Sequence, residues 1–178
     1  MPRFVALLRG VNVGGSGRMA MADLRTCVEG AGFDDVATHI QSGNVLVRTS
    51  MRSAEKVARA LEEAVEADLG FRTAVMVRTA AQLTAALDER PFPKAADAAL
   101  HIAFLREKPS AAKAKELVAP EGPDEVAVVG REVYLHYPDG QGRSKLSGAF
   151  IEKRLGVPAT ARKRSVVEKL RDLLEADA

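Results

Sequence analysis

Residues 36 to 49, VATHIQSGNVLVRT, constrain the fold more than any other stretch. Val36, Thr38 and Ile40 alternate with Ala37, His39 and Gln41, and Ser42-Gly43 is followed at once by a second apolar run. Alternation interrupted by a Ser-Gly turn predicts two antiparallel strands joined as a hairpin. A helical pattern lies on either side of it. The first sets Met21, Leu24, Cys27, Val28 and Ala31 at helical spacing and stops at Gly32. The second runs from an N-cap Ser53 through Ala54, Val57, Ala58, Leu61, Ala64, Val65 and Leu69 to a C′ glycine, Gly70. With apolar strands at residues 3 to 9 and 72 to 78, the order is β-α-β-β-α-β, the ferredoxin-like pattern.

That order decides how the first glycine-rich loop reads. Gly15-Ser16-Gly17-Arg18-Met19-Ala20 fits the dinucleotide fingerprint G-x-G-x-x-G/A. A dinucleotide fold needs a second strand that runs parallel to the first through a crossover helix, whereas a tight turn at Ser42-Gly43 makes strands two and three antiparallel. The acid expected at the end of the second strand is also missing, since Gln41 and Ser42 stand there. No nicotinamide dinucleotide is therefore expected at Gly15 to Ala20, and no cofactor is inferred.

The second half repeats the theme. A linking helix over residues 79 to 94 opens with the capping box Thr79/Gln82 and stops before Pro91. A strand is expected at 100 to 107, a short helix from Pro109-Ser110 to Val118, and a hairpin at 125 to 137 around Gly130-Arg131. A helix capped by Ser144 is expected to run to Leu155, with a brief strand at 158 to 162 and a last helix opened by a second capping box, Ser165/Glu168. The fold class is thus α+β, two tandem ferredoxin-like (βαββαβ) subdomains packed together with a C-terminal helix. The expected boundaries are 1–78, a linking helix at 79–94, and 95–178.

Composition bounds the function. The net charge of +2, from 26 basic and 24 acidic residues, is too balanced to mark a nucleic-acid coat or a polybasic membrane anchor. One cysteine cannot make an internal disulfide, and no long apolar stretch marks a membrane span, so a cytosolic location is expected. The one concentrated basic zone runs from Arg143 to Arg164. Aromatics make up 4% of the chain, which leaves few rings for stacking bases. His39, His101 and His136 fall on different strands without ligand spacing, so no metal site is expected.

Three turns hold the candidate chemistry: Arg9 to Gly17, Gln41 to Asn44, and Tyr137 to Lys145. Arg9 ends a buried strand and reads either as an anion clamp or as an internal tie. Asn12 fits a turn residue, and Ser42 and Asn44 fit the hairpin turn; Ser42 has neither a G-x-S-x-G setting nor a base to serve as nucleophile. Gly140 and Gly142 free the third loop to turn N–H groups inward ahead of a helix, with Arg143, Ser144 and Lys145 adding charge and a cap, an arrangement suited to phosphate or carboxylate. Tyr137 is placed to stack on a ligand ring or to cover a core edge. A single acid, Asp139, argues against a two-carboxylate glycosidase or a two-metal nuclease.

LLRGVNVGG, IQSGNV, YPDGQGRSKL and a late Thr-Ala-Arg, in that order, resemble the bacterial domain-of-unknown-function family 1697. The resemblance implies the tandem ferredoxin-like fold and no established activity. Arg9, Gly10, Asn12, Gly14, Gly15, Ser42, Gly43, Asn44, Tyr137, Pro138, Gly140, Ser144, Thr160 and Arg162 fall on its motifs. After Thr160-Ala161-Arg162 that family tends to continue Asn-Trp-Asn, whereas this chain has Lys163-Arg164-Ser165. The leading expectation is a protein that binds a small anionic, phosphate- or nucleotide-like ligand at the loops after the strands. The alternatives are a nucleic-acid module using Arg143, Lys145, Arg162, Lys163 and Arg164, and a cofactor-independent enzyme using Arg9, Asn12 and Ser42. No membrane partner is expected, and the oligomeric state is left open.

Overall fold

A computed structural model describes every residue except Ser16, Asp177 and Ala178. The chain divides into two compact units, one formed by residues 1–82 with the chain from Leu170 onward, the other by Leu83–Lys169.

The first unit is built on β1 (Arg3–Leu8), α1 (Met21–Gly30), β2 (Asp34–His39), β3 (Asn44–Arg48), α2 (Ala54–Leu69) and β4 (Val75–Arg78). Its four-stranded sheet has the order β2-β3-β1-β4, antiparallel throughout. Phe4 lies opposite Val47 and Ala6 opposite Val77, so the first strand of the chain becomes a central one. Both of its faces are buried, as its unbroken apolar run predicts. Phe4, Ala6 and Leu8 join Leu24, Val28, Val57, Leu61 and Val65 from the two helices in one core. The ends of α2 follow the sequence: the Ser53 hydroxyl accepts from the Lys56 N–H at 3.3 Å, and Gly70 takes the left-handed conformation at φ +64°.

The linking helix α3 (Ala80–Asp88) opens on the expected capping box. Gln82 N–H donates to Thr79 Oγ1 at 3.2 Å, and Thr79 N–H donates to Gln82 Oε1 at 2.9 Å. The second unit then repeats the order with β5 (Leu100–Leu105), α4 (Ala111–Glu116), β6 (Glu125–Val129), β7 (Glu132–His136), α5 (Gly148–Leu155) and β8 (Ala159–Lys163), in the sheet order β6-β7-β5-β8. A short 3-10 turn at Asp97–Ala99 that no sequence signal marked precedes β5. The core here gathers Ala103, Leu105, Val133, Leu135, Ile151 and Leu155.

Two expected helix starts move. α5 is capped by Ser147, whose hydroxyl accepts from Phe150 N–H at 3.1 Å, and not by Ser144. The last helix, α6 (Arg164–Ala176), begins directly after β8, so Ser165 already lies inside it and Glu168 pairs with Arg164 at 3.1 Å instead of closing a capping box. Among the described helices none is long and apolar enough to cross a membrane.

Candidate functional site

At one end of the first sheet the β1–α1 loop meets the β2–β3 turn. Leu8 N–H donates to Gly43 O at 2.9 Å, which brings the turn against the end of β1. The closeness requires glycine: a Cβ on Gly43 would stand 3.1 Å from Leu8 Cβ and Val11 Cβ, at a φ of +77°. Asn12 then ties the two loops together. Its Nδ2 donates to Gln41 O at 2.7 Å and to Met19 O at 3.0 Å, and its Oδ1 accepts from Met19 N–H at 2.8 Å. With every polar atom of its side chain engaged, and its backbone left-handed at φ +54°, Asn12 positions the loop.

This tie leaves a cleft of about 470 Å³ lined by Asn12, Gly15, Arg18, Met19, Ala20 and Gln41. Arg18 is exposed and has no partner among the described residues. It stands just before α1, whose N-cap is Ala20 and makes no side-chain cap bond. A free guanidinium beside helix N–H groups that no side chain satisfies favours negative charge. Two large aliphatic side chains flank the same loops in the open, Val13 at 61% exposure and Ile40 at 50%, the latter at φ +52°, a conformation costly for a β-branched residue.

Of the residues singled out in these loops, Asn12 and Gly15 line the cleft, and Gly14 is exposed next to it. Arg9 does not line it. Its N–H donates to Ala74 O at 3.0 Å and its carbonyl accepts from Thr73 Oγ1 at 2.8 Å, so the main chain here ties β1 to the entry of β4. Ser42 and Asn44 build the turn: the buried Asn44 donates to His39 O and to Ser42 Oγ, both at 3.0 Å. Neither is left to face a ligand. The residues that sequence reasoning passed over are Arg18, Met19, Ala20 and Gln41. Arg18 was visible as the one base in the Gly15–Ala20 run, a run set aside once it failed as a dinucleotide fingerprint; Ser16 in that run lies outside the described residues.

The third loop belongs to the second unit, where Gly140, Gly142, Arg143 and Ser144 line a separate cleft of about 610 Å³ with Pro123, Asp124 and Asp139. Its chemistry differs from the expected anion cradle. Ser144 donates to Asp124 Oδ2 at 2.5 Å and accepts from Leu146 N–H at 2.9 Å, holding the loop to the entry of β6. Two carboxylates therefore share the lining with one guanidinium, and the nearest helix start lies beyond the loop at Ser147. Lys145 is exposed and outside this lining.

Tyr137 is 1% exposed and donates to Leu146 O at 2.7 Å, with His101 edge-on at 5.0 Å between ring centroids. Burial, with Asp124 adding to it, pushes its hydroxyl up to about 12. It is a core residue and cannot stack on a ligand. Arg162, 7% exposed, donates to Thr160 Oγ1 at 2.6 Å and to Ala161 O, and burial lowers it to about 10. Arg164 is 6% exposed and donates to Leu87 O at 3.0 Å. The five bases proposed as one nucleic-acid face are thus split, with only Arg143, Lys145 and Lys163 exposed. His136 pairs with Glu125 at 2.7 Å across the β6–β7 hairpin, and no cluster of three His, Cys, Asp or Glu able to hold a metal occurs among the described residues.

The model of a family described as a protein of unknown function, DUF1697, matches residues 1–134. The chain belongs to this family. The matched residues include LLRGVNVGG and IQSGNV, the two phrases that build the first cleft, while YPDGQGRSKL and Thr160-Ala161-Arg162 lie beyond them. Among solved structures, the conserved bacterial protein SP0830 from Streptococcus pneumoniae is similar at a TM-score of 0.71 and 23% identity, over 97% of this chain and 98% of that one. This likeness concerns the fold alone. No curated protein matches the chain in sequence.

Proposed function

We propose that this DUF1697 protein binds a small anionic ligand, phosphate- or carboxylate-bearing, in the cleft of the first unit. Each unit is read as a ferredoxin-like sheet with its ligand-facing loops at one end, a reading supported by the element order and by the central placement of each unit's first strand. The observation that carries the function is Arg18, a guanidinium with no partner among the described residues, which lines a cleft of about 470 Å³ and stands just before a helix start that no side chain caps. Gln41, also in the lining, supplies amide groups, and Met19 with the flanking Val13 and Ile40 offers apolar contact to the rest of the ligand. The cleft of the second unit is the weaker candidate, because Asp124 and Asp139 oppose an anion there.

The test is thermal stability in inorganic phosphate, sulfate, acetate and a nucleoside monophosphate. A ligand that binds only the folded state stabilises it by about 2.7 kcal/mol at a hundredfold excess over Kd. Wild type and Arg143→Ala are expected to gain stability together, and Arg18→Ala to lose the gain. No stabilisation by any of these anions at about 100-fold the usual millimolar Kd of a weak site, or full stabilisation of Arg18→Ala, refutes the reading.

A further inference from the structure

The hydrogen-bond phase of the second sheet shows what its outermost strand leaves free. Leu105 N–H donates to Arg131 O and Tyr137 N–H donates to Ala99 O, each at 2.9 Å, so the odd-numbered residues of β7 face β5. Main-chain groups alternate sides along a strand, and the even-numbered residues Glu132, Tyr134 and His136 therefore face β6. Their partners across the hairpin are Val129, Ala127 and Glu125. Val126 and Val128 consequently point both N–H and C=O away from the sheet. These groups have no protein partner among the described residues.

The four sheet edges are not equivalent. β2 carries Asp34 and Asp35, a register break between Asp34 and Ala37, and a left-handed Asp35 at φ +47°, all of which discourage a further strand. β4 is four residues long, and β8 ends in Arg162 and Lys163. β6 has no bulge, no left-handed residue and no basic end, and its one charged residue is Glu125 at its start. Its sequence, EVAVV, pairs with β7 in unbroken register from Glu125 to Val129 and contains no proline, glycine or lysine, and Val129 stands 40% exposed.

We propose that the β6 edge pairs with the β6 edge of a second copy of this chain, antiparallel across a two-fold axis, joining two four-stranded sheets into one of eight strands. Centred on Ala127, this register sets Val126 opposite the partner's Val128 and the reverse, so the four free main-chain groups of each strand find complements. It also matches charge. The acidic start of each strand, Asp124-Glu125, comes beside the other's Gly130-Arg131 turn, and Glu125 faces the partner's Val129. A parallel arrangement sets the two Glu125 side chains together and is disfavoured. Burial of the two aliphatic edges adds to the main-chain bonds.

Sedimentation velocity on the full chain, from about 5 to 500 µM, reads the association of so small an interface. Wild type is expected to dimerise within that range. Val128→Pro removes an outward N–H without touching the β6–β7 ladder and is expected to be monomeric. Should that variant fail to fold, two changes at half-exposed Val129 carry the test. Val129→Glu opposes two pairs of like charges and is expected to raise Kd about tenfold, whereas Val129→Lys faces Glu125 twice and is expected to bind at least as tightly as wild type. A wild type that stays monomeric throughout, a dimer indifferent to Val129→Glu, or equal weakening by Glu and Lys overturns the inference. None of these outcomes depends on the ligand cleft of the first unit.

Discussion

Gly43→Ala tests the packing that brings the hairpin turn to the ligand cleft. Two costs act at this position. An L side chain at φ +77° costs about 1–2 kcal/mol, and forcing a methyl to 3.1 Å from Leu8 Cβ and Val11 Cβ costs a further ~1–3 kcal/mol, because both neighbours belong to the first unit's core. Against these stands a gain of about 0.4–1 kcal/mol from the stiffer unfolded chain. The net expectation is a loss of about 3 kcal/mol. Gly14→Ala provides the internal control: its φ is +60°, but a Cβ there meets nothing within 4 Å, so backbone strain alone remains and the expected loss is about 1 kcal/mol. Urea denaturation followed by far-ultraviolet circular dichroism measures both. The contrast of about 2 kcal/mol isolates the contact term. If Gly43→Ala costs no more than Gly14→Ala, the turn is not held against β1 as described, and the cleft loses the wall that carries Gln41.

The serines of the third loop separate two roles. Ser147→Ala is expected to cost about 1 kcal/mol as loss of the α5 cap, while Ser144→Ala is expected to cost about 1–2 kcal/mol through loss of its bonds to Asp124 and Leu146 N–H, with α5 itself unchanged by circular dichroism. Equal helix loss in both variants would return the cap to Ser144. His101 gives a pH signature. Burial, and then Lys163, hold it below its ordinary value of 6.5, so the unfolded chain takes up the proton first and the stability from His101 is full above pH 6.5 and lost as pH falls toward its folded value. Replacement by Phe is expected to flatten the stability profile below pH 6.5, and an unchanged slope counts against a buried neutral imidazole.

Much of the architecture was legible because it follows from period and punctuation. The antiparallel β2–β3 hairpin, the Ser53 cap, Gly70 and the Thr79/Gln82 box each appear where local rules place them, although the hairpin turn takes in Ile40 and Gln41 as well as Ser42-Gly43, since His39 already pairs with Asn44. The start of α5 failed because two candidate serines, Ser144 and Ser147, lie within a few residues and only the path of the loop decides which one reaches a free N–H, and that of α6 failed because the helix follows β8 directly and takes Ser165 inside it. Charge was the harder quantity to read. Arg162 and Arg164 look like surface bases in a string, yet strand β8 and the start of α6 carry them inside, where main-chain carbonyls and hydroxyls take their donors. Asp124 lies twenty positions from Ser144, so its arrival at the third loop was invisible to local pattern. Arg18 shows the opposite case: it stands in plain view in the Gly15–Ala20 run, but no local pattern shows that the loop's fold leaves its guanidinium without a partner among the described residues.

The central place of β1 sets the timetable of synthesis. This strand is made before both of its neighbours, Asn44–Arg48 and Val75–Arg78, and the last of them appears some seventy residues later. At translation rates of about 5–20 residues per second, the apolar run of β1 waits roughly 4–14 s for its last neighbour. During that interval the β2–β3 hairpin, its pairing with β1 and the two helices can form, but the side of β1 that takes β4 stays open. Each unit begins with a greasy strand held in reserve, and the nascent chain must keep it from finding the wrong company until its fourth strand is released.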